Sequence, residues 1–503
     1  MKLKKVQWLV LILLMAWYGW FFMERIDLVV VDLGRHLKNG EMVLKGEWGI
    51  LNSNFYSYTE PDFPVANHHW GTGVVFYIIH QVFGFTGLSF FYLALGLAVF
   101  YLFFWIAQKE AGFNLAVIIS SLLIPLMVAR TEIRPEGFSY FFIALFFWIL
   151  WRWREGEISN KWLWILPLLQ VIWVNTHIYF IFGIALVGLF WMDGFRTRRC
   201  RVKLGKILGL TGLLSLLSPL GPKGLLYPLN IFKNYGYRIV ENQSVSFLTN
   251  WGFKEPNLVL FEMVLAILIV SFIVLFIRNR KKLSFVYIML ALVWGTLAFM
   301  AIRNFTLFAF FSLVIIGYNL KHSKLEDEKI SLGVSMAVAM FIMLNSLYFY
   351  YPKLPWSNRF GLGLMKDNLQ SVEFFEDQDI EGPVFNNYDV GAYLIYNFYP
   401  DWRVFTDNRP EAYSVSHFKD VYIPAQYENS VWQKLDDEYN FNVIYFSHRD
   451  HTDWGQKFLI ERVKDKDWAV VYYDSFVIIY LKRNELNEKI IKQYEISNEV
   501  FGL

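Results

Sequence analysis

Residues 257–277 form an apolar run interrupted by a single charge, Glu262. A run of about twenty apolar residues is what a helix needs to cross a bilayer, and it cannot be left in water. The same character recurs at 6–23, 88–107, 114–129, 136–151, 162–174, 178–192, 207–219, 284–301, 304–319 and 330–349. About eleven transmembrane helices are therefore expected, several of which must extend into their flanks to reach across. Residues 72–83 are apolar but short, and read as a twelfth crossing or as a helix lying along the interface.

Charge decides between these. With the N-terminus inside and 72–83 interfacial, the inner loops carry 20 Lys and Arg in 51 residues, against 11 in 112 for the outer loops. A crossing at 72–83 would put Arg196, Arg198, Arg199, Arg201, Lys203 and Lys206 outside, against the positive-inside rule. The expected protein is thus a multi-pass cell-membrane protein with a cytoplasmic N-terminus, a large first outer loop at 24–87 and an extracytoplasmic tail. The first apolar run is too long for a typical signal peptide. It carries Trp17, Tyr18, Trp20 and Phe21 where a cleavage site needs small residues, so an uncleaved anchor is expected. The single cysteine, Cys200, excludes an internal disulfide and falls in an Arg-rich loop placed in the reducing cytoplasm.

From Tyr350 onward hydropathy drops and the charge balance reverses. The formal net charge of +3 conceals 25 acidic and 16 basic residues in 350–503, against 19 and 31 before it. Short alternating segments at 383–385, 403–405, 442–446, 469–472 and 476–480 read as strands, and 388–398, 430–439 and 455–463 as helices. Asp474-Ser475 reads as the turn of a hairpin. Two domains are expected: a transmembrane part over 1–349 and an extracytoplasmic α/β domain over 350–503. The bases lie in short loops between spans, which gives no basis for nucleic-acid binding. No P-loop or dinucleotide fingerprint is present.

Reactive side chains gather at the outer ends of the spans. Asp27, Asp32 and His36 follow the first span, and His68-His69-Trp70 close the first outer loop. Arg130, Glu132, Arg134 and Glu136 open a later span. Asn175 and His177 sit in a tight link, and Glu241, Asn242 and Arg303 lie further on. Ionisable groups beside membrane spans are usually functional. Asp32 and His36, at i and i+4, share a helix face. Asp32 could act as general base on an acceptor hydroxyl or hold a divalent cation, and His36 could complete either arrangement. Its plainer role is a solvated loop carboxylate, and two ligands do not define a metal site. Arg134 and Arg303 could bind phosphate through their guanidinium forks, or pair with Glu132 and Glu136. Tyr56, Tyr58 and Trp70 could stack on sugar rings or belong to the interfacial aromatic belt. His68 and His69 are candidate ligands. Asn175 and His177 need polar partners at membrane depth, or form only a turn.

These segments resemble the class-C (GT-C) integral-membrane glycosyltransferases, in particular bacterial and archaeal members with a C-terminal extracellular α/β domain. Asp32-Leu33-Gly34-Arg35-His36 with Gly40, Phe55-Tyr56-Ser57-Tyr58-Thr59 and His68-His69-Trp70 are similar to their first outer loop. Arg134-Pro135-Glu136, Trp173-Val174-Asn175-Thr176-His177, Ser218-Pro219-Leu220-Gly221 and Glu241-Asn242-Gln243-Ser244 also have counterparts. So do Phe385-Asn386-Asn387-Tyr388-Asp389 and Thr406-Asp407-Asn408-Arg409-Pro410 in the tail. The resemblance implies a hexosyltransferase-type enzyme taking sugar from a polyprenyl-phosphate donor to a glycan, lipid or protein acceptor at the outer face. It implies Asp32 as catalytic base with His36, and inversion at the anomeric carbon. Arg134 and Arg303 would bind the donor phosphate. Tyr56, Tyr58, His68, His69, Trp70, Asn175, His177 and Glu241 would line the substrate site. Any cofactor would be a divalent cation, Mg or Mn, at Asp32 and His36. The chain departs from the group's His-Glu-Trp pattern, with His69 in the acidic place. The competing classes are a lipid or solute transporter or flippase, which normally shows repeat halves, and a non-catalytic envelope-assembly protein.

Overall fold

The computed structural model describes residues 4–197, 201–230, 233–324, 330–349 and 359–502. Cys200, Arg198, Arg199 and the expected boundary at Tyr350 lie outside the described residues. All the apolar stretches are helical. In order the helices are α1 (Lys5–Trp20), α2 (Leu33–Leu44), α3 (Trp70–Ala111), α4 (Phe113–Met127), α5 (Glu136–Arg154), α6 (Ile165–Val174) and α7 (Ile181–Thr197). They continue with α8 (Arg201–Leu214), α9 (Gly221–Leu226), α10 (Val245–Asn250), α11 (Pro256–Asn279), α12 (Phe285–Met300), α13 (Phe305–His322) and α14 (Leu332–Phe349). Among the described residues four segments are long and apolar enough to cross a membrane: Trp70–Ala111, Ile178–Arg196, Pro256–Lys282 and Ile302–His322. Lys5–Trp20, Phe113–Met127, Phe285–Met300 and Leu332–Ser346 are shorter apolar helices. The stretch 72–83 is helical and ends at Gly84, whose φ of +62° breaks α3 before it continues. Glycine adopts that backbone without the steric cost of a Cβ.

The chain divides into two compact units that do not follow its linear order. One holds Met1–Glu24, Leu88–Pro228 and Ile239–Leu362; the other holds Arg25–Gly87, Leu229–Arg238 and Gly363–Leu503. The first outer loop, grouped with the membrane part in the sequence reading, belongs here with the C-terminal residues.

In the first unit α13 is the central helix, buried along nearly its whole length. It packs against α4, α11 and α12. Phe103 of α3 stacks on Phe310 at 4.9 Å and meets Phe311 edge-on at 5.2 Å. At the end of α5 away from Glu136, buried Glu110 accepts the Trp151 indole N–H at 2.6 Å and the Tyr287 hydroxyl.

The second unit is built on a four-stranded sheet, β1 (Val384–Asn386), β2 (Val443–Ser447), β3 (Trp468–Tyr473) and β4 (Val477–Lys482), in the order β1-β2-β4-β3. Only β1 and β2 pair in parallel. Asp474 makes the expected hairpin turn, its Oδ1 accepting the N–H groups of Phe476 and Val477 at 2.7 and 2.8 Å. Around the sheet lie α15 (Gln370–Asp377), α16 (Gly391–Phe398), α17 (Ile423–Tyr427), α18 (Asn429–Tyr439), α19 (Asp453–Val463) and α20 (Glu488–Tyr494). The core is aromatic, with Phe385, Trp432, Phe441, Phe446 and Phe458 in one cluster.

The expected strand at 403–405 is corrected. Val404 forms one parallel bridge with Ser57 of the first outer loop, donating to Tyr56 O at 3.0 Å and accepting from Tyr58 N at 3.2 Å. Its partner is a short loop segment, and the pairing stays a single bridge. The loop is tied to the tail elsewhere too. Met365 N donates to Ile26 O at 2.9 Å, and Lys38 Nζ to Tyr399 O at 3.1 Å. Gly34 of α2 lies so close to α16 that a Cβ would fall 2.8 Å from Ala392 O.

Candidate functional site

Asp32 stands at the N-cap of α2, where aspartate normally accepts a backbone N–H of the first turn. It makes no such bond. Its Oδ2 lies 3.4 Å from an Arg35 terminal nitrogen and 3.4 Å from His36 Nε2. The i, i+4 spacing does bring Asp32 and His36 together. Asp32 keeps 21% of its side chain exposed, while His36 is buried at 1%. Arg35, which the sequence reading quoted without assigning it a role, also donates from Nε to Asn408 Oδ1 at 3.4 Å. It therefore links the start of α2 to the 406–410 loop.

The His36 ring meets that of His69 edge-on at 5.6 Å, and His69 lies 4.0 Å from His68. The Ala66 carbonyl can only accept, so His68 donates to it from Nδ1, at 2.9 Å. Burial pushes the His68 pKa down to about 4, and the ring is neutral at physiological pH. Trp70 meets the exposed Trp48 edge-on at 6.0 Å. Tyr56 is corrected as a stacking platform: it is 1% exposed and its hydroxyl donates to Asn39 Oδ1 at 2.9 Å. Tyr58 is half-buried and donates to Val384 O at 2.8 Å. Both tyrosines fasten the first outer loop to its own unit.

The Arg-rich residues gather in the other unit. Glu136 opens α5, and its carboxylate is 5% exposed. It accepts from Arg130 Nε at 3.1 Å and from an Arg303 terminal nitrogen. Glu241 accepts from Arg130, lies 3.6 Å from Arg134, and has Arg303 at 3.8 Å. Burial alone would push the Glu241 carboxyl up, but Arg130, Arg134 and Arg303 together hold it below its ordinary range. Arg303 also donates to Asn242 Oδ1 at 2.8 Å. Arg134 pairs with Glu132 at 2.8 Å. The expected guanidinium pair is thus part of a network of three arginines around two shared carboxylates, with Glu132 at its rim. That core carries one positive charge in excess. Arg130 and Glu136 were visible in the run Arg130-Thr131-Glu132-Ile133-Arg134-Pro135-Glu136, but local spacing does not show that both carboxylates bridge to Arg303.

His177 lies beside this network, and its ring is 4.7 Å from that of Tyr179. Tyr179 N donates to His177 Nδ1 at 3.4 Å, which makes Nδ1 an acceptor. Ser139 Oγ, 2.8 Å from the same nitrogen, must then donate, while accepting the Trp173 indole N–H at 2.8 Å. The chain Trp173–Ser139–His177 fixes the tautomer with the proton on Nε2. Asn175 caps the end of α6: its amide donates to Val171 O at 2.8 Å and Leu217 O at 2.9 Å.

A divalent cation needs more donors than Asp32 and His36 supply. Among the described residues no three His, Cys, Asp or Glu side chains gather as a metal cluster. Arg35 lies against the same Asp32 oxygen, where a cation would be repelled. These residues do not by themselves fit a bound metal.

No protein-family model matches the sequence, and no curated protein does. Among solved structures, the archaeal oligosaccharyltransferase AglB from Archaeoglobus fulgidus, in complex with an inhibitory peptide and a dolichol-phosphate, aligns with a TM-score of 0.59 at 13% identity. The alignment covers 95% of this chain and 74% of AglB. An A. fulgidus oligosaccharyltransferase in complex with Zn and sulfate gives 0.55 at 13%, over 94% and 73%. ArnT from Cupriavidus metallidurans overlaps more loosely, at 0.46 and 14%, over 96% and 99%. The chain has the fold of the class-C (GT-C) membrane glycosyltransferases.

Proposed function

We propose that this protein is a membrane glycosyltransferase that moves a sugar from a polyprenyl-phosphate donor to an acceptor at the outer face of the membrane. The observation that carries the reading is Asp32. It holds a capping position without capping, and its carboxylate turns to Arg35 and His36. The fold shared with AglB, which has been seen with a dolichol-phosphate and a peptide, supports the lipid donor and a separate acceptor.

In this reading the acceptor nucleophile attacks the anomeric carbon as the bond from that carbon to the phosphate oxygen breaks. Asp32 takes the acceptor's proton, and the electron pair of the broken bond leaves on the polyprenyl phosphate, with inversion. His36 and Arg35 orient the Asp32 carboxylate. The charge developing on the departing phosphate needs preorganised donors. Within their own unit Arg134 and Arg303 are groups suited to phosphate, with Glu241 and Glu136 setting the direction of the guanidinium forks and His177 beside them. His68, His69 and Trp70 are candidate substrate contacts in the unit that holds Asp32. The acceptor is a glycan, lipid or protein; the N-terminus is cytoplasmic and the α/β domain extracytoplasmic.

The test is sugar release from a panel of polyprenyl-phosphate sugars, with a membrane extract as acceptor, by wild type and Asp32→Asn in detergent. Turnover by the wild type, lost in a folded Asp32→Asn protein, is expected. Equal turnover in both removes Asp32 as the base. No turnover in either across the panel returns the protein to the transporter and assembly classes.

A further inference from the structure

A cavity of about 650 Å³ opens between α11 and α12. Its walls include Ile269, Ile273 and Phe276 on one helix and Leu292, Gly295 and Phe299 on the other; Thr296 is the only side chain lining it that bears a hydroxyl. Ile273, Phe276 and Leu292 are each more than half exposed. On α11 the groove runs from Leu265 to Phe276, eleven steps of about 1.5 Å, or about 16 Å. That is close to the hydrocarbon depth of one leaflet, about half of the roughly 30 Å core.

One end of the groove is strongly charged. Leu283, which lines it, follows directly on Arg280-Lys281-Lys282, with Arg278 one turn back at the end of α11. Residues 280–282 are exposed. Among the described residues none of these four bases is in an ion pair; Arg278 donates only to the Ser323 carbonyl, at 3.1 Å. An apolar slot one leaflet deep that ends in four bases with no carboxylate partner among the described residues is complementary to one kind of molecule: a lipid with an anionic headgroup and an acyl chain of that length.

We infer that the α11–α12 groove is a binding site for an anionic phospholipid of the leaflet on the basic side, with one acyl chain between the helices and the headgroup phosphate at Arg280, Lys281 and Lys282. Phosphate attracts each base at the surface by an amount that corresponds to about a fivefold gain in retention. The chain gains contact with side chains otherwise left facing bulk lipid. This site is separate from the proposed donor chemistry and does not rest on it.

The groove can be closed from a single position in its wall. A Cβ at Gly295 would meet only Leu265, at 3.6 Å, so a larger side chain there has room to enter the slot. The experiment reconstitutes the full chain with mixtures of phosphatidylglycerol and phosphatidylcholine, strips bulk lipid with detergent, and counts retained lipids by native mass spectrometry. Wild type should retain phosphatidylglycerol over phosphatidylcholine by tenfold or more. The triple variant Arg280→Gln, Lys281→Gln, Lys282→Gln should lose that preference at about fivefold per base. Gly295→Phe should lose the bound lipid, whereas Gly295→Ala should retain it and controls for folding. Equal retention of the two lipids by wild type, or an unchanged preference in the triple variant, overturns the inference. So does a dimer that dissociates in Gly295→Phe, which would make a second copy the occupant.

Discussion

Two Asp–Arg pairs in the same compact unit look alike in sequence and differ in structure. Asp407 and Arg409 are two residues apart, and Asp32 and Arg35 three. Asp407 has no exposed side-chain surface and is held by both fork nitrogens of Arg409, at 2.8 and 2.6 Å; Tyr413 adds a bond at 3.2 Å and Arg409 reaches on to Asn54 at 2.8 Å. Burial would raise the Asp407 pKa, but Arg409 outweighs it and holds the carboxyl below its ordinary range. Asp32 lies 3.4 Å from both Arg35 and His36 and keeps 21% of its side chain exposed. A carboxylate with every lone pair committed and no exposed surface holds a loop in place. One that stands partly in solvent beside an arginine and a histidine is open to a substrate.

The comparison is broken most decisively at Asp32. Asp32→Asn should lower turnover by about 10²- to 10⁴-fold, the range for losing a general base, with a thermal unfolding curve close to wild type. A large fall in stability instead would make Asp32 a second Asp407. Asp407→Ala should show the reverse balance, with stability falling by about 3–5 kcal/mol because Arg409 is left buried and uncompensated, as read by denaturation of the purified protein. Tyr56→Phe sharpens the picture of how the first outer loop is fastened. It deletes one buried hydrogen bond to Asn39 and should cost about 1 kcal/mol, with turnover per folded molecule unchanged.

The smallest effect concerns pH. Burial, reinforced by the Asp450 carboxylate, raises Asp389 from its ordinary 3.8 to about 7. A carboxyl raised in the folded state contributes stability that is complete below about pH 4 and lost as pH rises through about 7. Asp389→Asn should therefore gain a few degrees in melting temperature at pH 8 and none at pH 4. Equal shifts at both values would remove the titration as the cause.

Local pattern carried much of the fold. The apolar runs became helices, and the short alternating segments became β1 to β4, because periodicity and burial act over neighbouring residues. The segment 403–405 makes a single bridge instead of a ladder, and its partner there, Ser57, lies too far away in the chain for local alternation to reveal. For the same reason the grouping of 25–87 with the tail could not be seen in composition. At the candidate site the spacing of Asp32 and His36 was informative, since helix geometry fixes it. Glu136 was legible as a possible partner for Arg134 or Arg303, and its place between Arg130 and Arg303 depends on helices distant in sequence. The role of Asn175 also depends on distance: one of the carbonyls it caps, Leu217, lies 42 residues away.

The interleaving of 25–87 with 363–503 sets a timetable for biosynthesis. The roughly 275 residues between them must be made first, and at about 5–20 residues per second this takes roughly 15 to 55 s. During that interval Ile26, Lys38, Tyr56 and Tyr58 lack the partners they have in the folded unit at Met365, Tyr399 and Val404. A nascent chain arrested before residue 363 should expose the first loop to protease, and supplying the tail as a separate polypeptide should restore its protection.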